Sequence, residues 1–311
     1  ITFIVVQAAP GSYAELLAAE HGRLPARTRA MLVQRYGLDQ PVHIQYARWL
    51  GAVATGDMGH SFLYRRPVTT IVGEAVGPTL QLAIPALLLN LVLGLVLAMT
   101  AARRPHGWAD RTITVLGLGL YGVPSFWLAG LAVLVLSQAL GWLPASHMSS
   151  IGSEQLPPIS WLVDRLRHMV LPVSCLGLMG AVVTARYLRS TLLELRGARF
   201  LLAARARGLP ERRVRWVHTL RPALLPVVTL LGLSMPLLLS GSVVIESIFS
   251  WPGMGQLLWR AALARDIPLI MATTMIGFIA VVLGNLVADL LYAVVDPRAR
   301  SERTGVVRSG G

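Results

Sequence analysis

The chain has 311 residues, of which 54% are hydrophobic and 14% charged, with a net charge of +13. That is roughly half the usual charged fraction, which excludes an ordinary water-soluble surface and makes lipid the main solvent. All the positive side-chain charge is arginine, and because the arginines fall between long apolar runs, membrane topology explains them better than nucleic-acid binding does.

In chain order, Ile1 to about Ala9 reads as the tail of a first membrane span. It fits a signal-peptide remnant less well, since a cleaved apolar core does not stay in a mature chain. Residues 10–78 form an extracytoplasmic, partly helical segment. Leu16, Leu17, His21 and Leu24 share one helical face, Met31, Leu32 and Tyr36 suggest another turn or two, and Gly37–Pro41 make a turn. Ile44 to Val53, with Tyr46, Trp49 and Leu50, has the spacing of an amphipathic helix at a membrane surface, and Gly56-Asp57-Met58-Gly59 turns the chain again.

A span needs about 20 mostly apolar residues. Five complete runs qualify: Leu80–Ala101, Ile113–Gln138, Met169–Ala185, Ala223–Ile245 and Leu269–Val295. With the opening segment these predict an all-α membrane protein of six spans, with a five-helix core over residues 79–296 and a tail over 297–311. Loop 102–112 holds Arg103, Arg104 and Arg111, loop 186–222 holds ten arginines and the tail four, against Arg165, Arg167, Arg260 and Arg265 in the alternate loops. Arginine collects on the inner side, so both termini are expected in the cytoplasm. No internal repeat is visible.

The single Cys175 lies in an apolar run and reads as a small buried residue, with neither a disulfide nor a thiolate cluster available. The seven histidines show no metal-ligand spacing, and no triad or carboxylate pair suggests a catalytic residue. A phosphate-binding P-loop needs a lysine, and the chain has none. This chain therefore carries no P-loop of its own.

The segment Phe200–Val228 carries the most information. Ala203, Ala204 and Ala206 give a short helix a small-residue face, Gly208 allows a sharp turn, and a second helix starts near Pro210. Small residues let a partner surface approach closely, and Arg205, Arg207, Arg212, Arg213 and Arg215 suit an acidic rim or lipid headgroups. On charge alone this is an ordinary basic juxtamembrane loop. Its spacing resembles the coupling loop of ABC importer permeases: Glu-Ala-Ala, three residues, Gly, nine residues, then Ile-x-Leu-Pro. Leu202 stands at the Glu position, Ala203 and Ala204 at the alanines, Gly208 at the glycine, His218 and Leu220 at Ile and Leu, and Arg221 at the Pro. The missing Glu and displaced Pro222 are both features of the peptide/nickel branch. There Ala-Arg-Ala-Lys-Gly-Leu is usual, and here Ala204 to Leu209 read Ala-Arg-Ala-Arg-Gly-Leu.

Other segments resemble the same branch in the same order: Gly37–Pro41, Gln45–Leu50, Gly56–Phe62, Pro124–Trp127, Glu246–Gly255, Arg265–Pro268 and Asp296–Arg298. The resemblance implies the membrane subunit of a dipeptide, oligopeptide or nickel importer, with Ala203, Ala204, Arg205, Ala206, Arg207, Gly208, Leu209 and Pro210 facing an ATPase. It implies as partners two ATPases, a second homologous permease and an outer substrate-binding protein, in a bacterial inner membrane. No cofactor is expected on this chain, since the resemblance implies ATP and its Mg²⁺ on the partner ATPase, and no nucleic acid is expected. An ion-gradient transporter would more often show a repeat and midplane charge pairs, and an intramembrane enzyme would show a motif.

Polar residues within spans are costly, by about 2.5–3.5 kcal/mol for an ionisable group. Asn285 and Asp289, four apart on one face of the last span, suggest a contact between helices or subunits over substrate binding. Glu246, beside the Trp251-Pro252-Gly253 turn, reads as a partner for that turn's backbone donors or as a gate facing the binding protein. Pro85, Pro124, Pro172 and Pro236 are candidate kinks, and Gly117, Gly119 and Gly122 permit close helix approach.

Overall fold

The computed structural model describes residues 40–224, 226, 227 and 242–295. The expected first span, the helical faces of residues 16–36, most of the span Ala223–Ile245 with Pro236, and the tail lie outside the described residues. Among the described residues the chain is helical apart from one isolated antiparallel bridge between His60 and Pro67.

The amphipathic segment forms α1, Val42–Ala54, and the turn expected after it is present. Gly56 and Gly59 have positive φ, and the Asp57 carboxylate accepts the Gly59 N–H at 2.8 Å. Helix α2, Val68–Arg103, has 36 residues with Glu74 and Arg103 as its only charges. At 1.5 Å per residue it is about 54 Å long, far more than the roughly 30 Å hydrocarbon core. It therefore begins earlier than its apolar run. Pro85 lies within it without interrupting it.

The run Ile113–Gln138 is not one straight helix. Helix α3, Trp108–Tyr121, and α4, Ser125–Ala132 with its π-helical extension Val133–Ala139, are bent by 101° at the break between them. Pro124 causes this locally. It has no N–H to donate and holds the preceding residue out of the helical region, and at φ −59°, ψ 140° it sits immediately before α4. Helix α5, Pro158–Glu194, contains the expected Met169–Ala185 span but has 37 residues. Polar turns at both ends stay helical, which an apolar window does not register. Pro172 sits inside it, so of the candidate kinks among the described residues, Pro85, Pro124 and Pro172, it is Pro124 that marks a break.

Helices α6, Arg199–Ala206, α7, Glu211–Arg213, and α8, Leu220–Ala223, occupy the arginine-rich loop. Beyond the undescribed stretch come α9, Ser242–Ile248, α10, Met254–Leu263, and α11, Ile267–Val295. Among the described residues three helices are long and apolar enough to cross a membrane, four if the bent pair counts as one span.

The described chain forms two compact units. In the first, residues 40–79 and 252–278, Val68, Ile71, Val72 and Ala75 line one face of the start of α2. They pack with Leu257 and Ala261 of α10 and with Leu269 and Ala272 of α11. The fully buried Asp266 caps α11, accepting the Leu269 N–H at 3.2 Å, and also accepts from the Ser61 hydroxyl at 2.5 Å and the Leu63 N–H at 3.0 Å. Two of the segments that carry the resemblance, Gly56–Phe62 and Arg265–Pro268, are thus one joint.

In the second unit α2 and α5 pack closely. The Thr184 hydroxyl donates to the Asn90 side-chain carbonyl at 2.7 Å, both residues buried. A Cβ on Gly180 would come within 2.5 Å of the Asn90 amide nitrogen, so a larger residue there would displace the Asn90 side chain that Thr184 bonds. Ala98, Ala102, Leu188, Leu192, Ala223 and Val227 form one apolar cluster, and Ala129, Leu171, Cys175, Ile245 and Phe249 another. Cys175 is a buried free thiol, as its apolar setting implied.

Candidate functional site: the arginine-rich loop

Helix α5 ends in a tight 3-10 turn at Leu195–Gly197, after which Ala198 is extended and starts α6. The far end of α6 is closed by a Schellman motif. The Gly208 N–H reaches the Arg205 carbonyl at 2.8 Å and the Leu209 N–H reaches the Ala204 carbonyl at 3.4 Å. Gly208 supplies the left-handed residue this requires, with φ +73°, and nothing lies within 4 Å of where its Cβ would be. Its constraint is backbone conformation, as its place in the sequence suggested. Pro210 then sits before α7, and the chain continues through the π-helical Val214–Thr219 into α8.

A small apolar core holds the loop in shape. Leu201 and Ala204 of α6 and Val214 are buried against one another, with Leu195, Ala198 and Leu209 packed around them. This divides the alanines of the motif. Ala204 points into the loop's own core, whereas Ala203 and Ala206 are exposed, as are Phe200 and Leu202 on the same short helix. Leu202, 56% exposed, presents an apolar side chain where the related pattern has an acid. Arg205 and Glu211 pair at 2.8 Å across the turn, both at the surface, and Arg207, Arg212, Arg213 and Arg215 are exposed. The result is a small-residue and apolar face ringed by guanidinium groups.

Two further arginines tie this loop to the helices that carry it. The Arg196 guanidinium donates to the carbonyls of Ala102 and Arg103, the C-terminal turn of α2, where a cation meets the negative end of the helix dipole. Arg189 of α5 makes a two-pronged pair with the buried Asp110 of α3, at 2.5 and 2.7 Å, and Asp110 also accepts the His106 N–H at 2.8 Å. Charge counting alone treated these arginines as topology markers, and their carbonyl and carboxylate partners, 79 to 94 residues away, have no local signal.

The remaining candidates separate. Glu246 is fully buried on α9, and its backbone carbonyl accepts the Trp251 N–H at 2.7 Å. Trp251 is also fully buried, with the Arg165 guanidinium 5.9 Å from its ring. Pro252 is exposed, and Gly253 precedes α10 in extended conformation. Asn285 and Asp289 share one face of α11, as expected, but both are exposed in the single chain. Among the described residues no ion pair joins Asp289 to an arginine. Gly117 lies close to α5, with 3.1 Å from a Cβ to Val182, whereas Gly119 faces open space. Among the described residues no cluster of His, Cys, Asp or Glu is arranged to hold a metal ion.

Residues 90–301 match the family described as binding-protein-dependent transport system inner membrane component. The oligopeptide transport system permease protein AppB of Bacillus subtilis is 36% identical over 299 residues, covering 96% of this chain and 92% of that protein. A putative peptide transport system permease protein of Brucella abortus is 38% identical over 302 residues, covering 96% and 93%. The glutathione transport system permease protein GsiC of Salmonella paratyphi A is 36% identical over 300 residues, covering 96% and 92%. Among solved structures, a chain of the inward-facing MetNI methionine ABC transporter superposes with a TM-score of 0.56 at 18% identity. That match covers 73% of this chain and 96% of the other, and it is a likeness of fold.

Proposed function

Since this chain belongs to the binding-protein-dependent transport system inner membrane components, and is the permease subunit of an ABC importer whose ATP is hydrolysed on a separate subunit, we propose that the face of α6 formed by Leu202, Ala203 and Ala206 docks that ATPase. The observation that carries this is the division of the motif. Leu201, Ala204 and Val214 are spent on the loop's own core, which leaves small and apolar residues presented outward within a ring of arginines. Gly208 and Pro210 fix the angle between α6 and the following helix, so a push on α6 is passed to α5 and α8 as a rigid-body movement.

The full assembly on this reading has two ATPases, a second homologous permease and an outer substrate-binding protein. The chain has six spans, lies in a bacterial inner membrane and keeps both termini in the cytoplasm. The cargo is peptide, supported by the names of the relatives, among which a glutathione permease extends the range to small peptide-like solutes. Asn285 and Asp289 lie in the contact with the second permease.

The test is a single substitution on the exposed face. Ala203→Arg places a large side chain on the exposed face and leaves the loop core intact. Co-purification of the ATPase and transport should both be lost while the thermal unfolding of the permease is unchanged. An Ala203→Arg variant that still retains its ATPase removes the docking claim.

A further inference from the structure

We propose that the cleft walled by α2, α3 and α5 holds one acyl chain of an anionic phospholipid, with the headgroup at Arg186. The cleft has a volume of about 190 Å³ and an almost wholly apolar lining, with Leu93 and Leu97 from α2, Leu116 and Leu120 from α3, and Leu178 and Val182 from α5. Water gains no hydrogen-bond partners over such a wall. For a chain whose solvent is lipid, the apolar occupant at hand is an acyl tail. Leu93 to Ala101 is eight residue steps along α2, about 12 Å along the axis, so the cleft takes a segment of one tail and not a whole lipid.

The polar end decides which lipid. Thr112, Arg186 and Arg189 stand there. Arg189 is neutralised by the two-pronged pair with Asp110. Arg186 is exposed and, among the described residues, makes no ion pair, which leaves a net positive charge at the mouth of an apolar slot. A basic pocket between membrane helices on the arginine-rich side is complementary to an anionic headgroup, and a zwitterionic one gains less from it. The lipid belongs to the leaflet facing loop 186–221. This inference needs the chain to be in a membrane but not the docking role of α6, so the two stand or fall separately.

The assembled transporter, extracted from a bilayer of equal phosphatidylglycerol and phosphatidylethanolamine, tests the site by native mass spectrometry of retained lipid. The wild type should keep phosphatidylglycerol with a preference of about fivefold, the weight of one arginine near an anionic surface. Arg186→Gln should retain lipid and lose the preference, and Thr114→Trp, which fills the cleft, should lose the lipid. Should Thr114→Trp fail to fold, Arg186→Gln carries the test by itself, because the residue is at the surface. A photoreactive side chain at Leu116 should yield a lipid adduct. A polypeptide adduct there, or equal retention of the two lipids by the wild type, overturns the proposal.

Discussion

The arginine-rich loop and the Ser61–Asp266 joint both fix a short segment against the end of a helix, and they do so by opposite means. The loop turns its charge outward and closes on three small apolar side chains, Leu201, Ala204 and Val214. The joint buries one carboxylate and surrounds it with the Ser61 hydroxyl and the N–H groups of Leu63 and Leu269. Apolar contacts are non-directional, so they hold a surface in place while leaving its outer face free to meet a partner. A buried carboxylate accepts its donors in one geometry, and each donor left unmatched carries a desolvation cost. The first arrangement suits an element that must be presented, the second a point that must not move.

The contrast can be broken most severely at the joint. Asp266→Ala should destabilise the protein by about 3 kcal/mol, because two buried donors and one part-buried donor lose their acceptor. The measurement is thermal unfolding in detergent together with protease sensitivity of residues 56–66. Asp266→Asn should recover part of the loss, since its amide oxygen still accepts. In the loop, Gly208→Val should cost about 1–2 kcal/mol for a side chain held in the left-handed region. Equilibrium unfolding would read this cost, and ATPase co-purification should weaken with it. The smallest effect belongs to Arg205→Gln, which breaks the exposed pair with Glu211. A change of no more than about 0.5 kcal/mol is expected, and a larger one would mean that the loop depends on its surface charge after all.

Legibility followed the range of the forces involved. Gly208 was readable because its requirement is local: the helix before it must end, and the Schellman turn needs φ above zero. The apolar runs were readable because lipid selects for length and apolarity within one segment. Their true ends were not. Asp164, Arg165 and Arg167 at one end of α5, and Arg186 and Arg189 at the other, are helical because the hydrogen-bond ladder continues past the apolar run. Pro124 was noted as a kink, but a bend of 101° depends on what packs on either side of it. Asn90 and Thr184 went unnoticed, since a lone asparagine or threonine in an apolar run says nothing about the other 94 positions away.

The amino-acid sequence by itself determined that lipid is the solvent, that the arginines cluster between the apolar runs, that the chain has no P-loop of its own, and that α6, Gly208 and Pro210 form a helix–turn–helix. Each of these follows from composition or from interactions within a few residues. Tertiary structure alone decided which alanine of the motif faces inward and which outward. It also decided that Arg189 is neutralised while Arg186, among the described residues, is not, and that Gly56–Phe62 meets Arg265–Pro268 around one carboxylate. Those outcomes depend on which distant side chains are brought within hydrogen-bonding or van der Waals reach, and that is settled only when the helices pack.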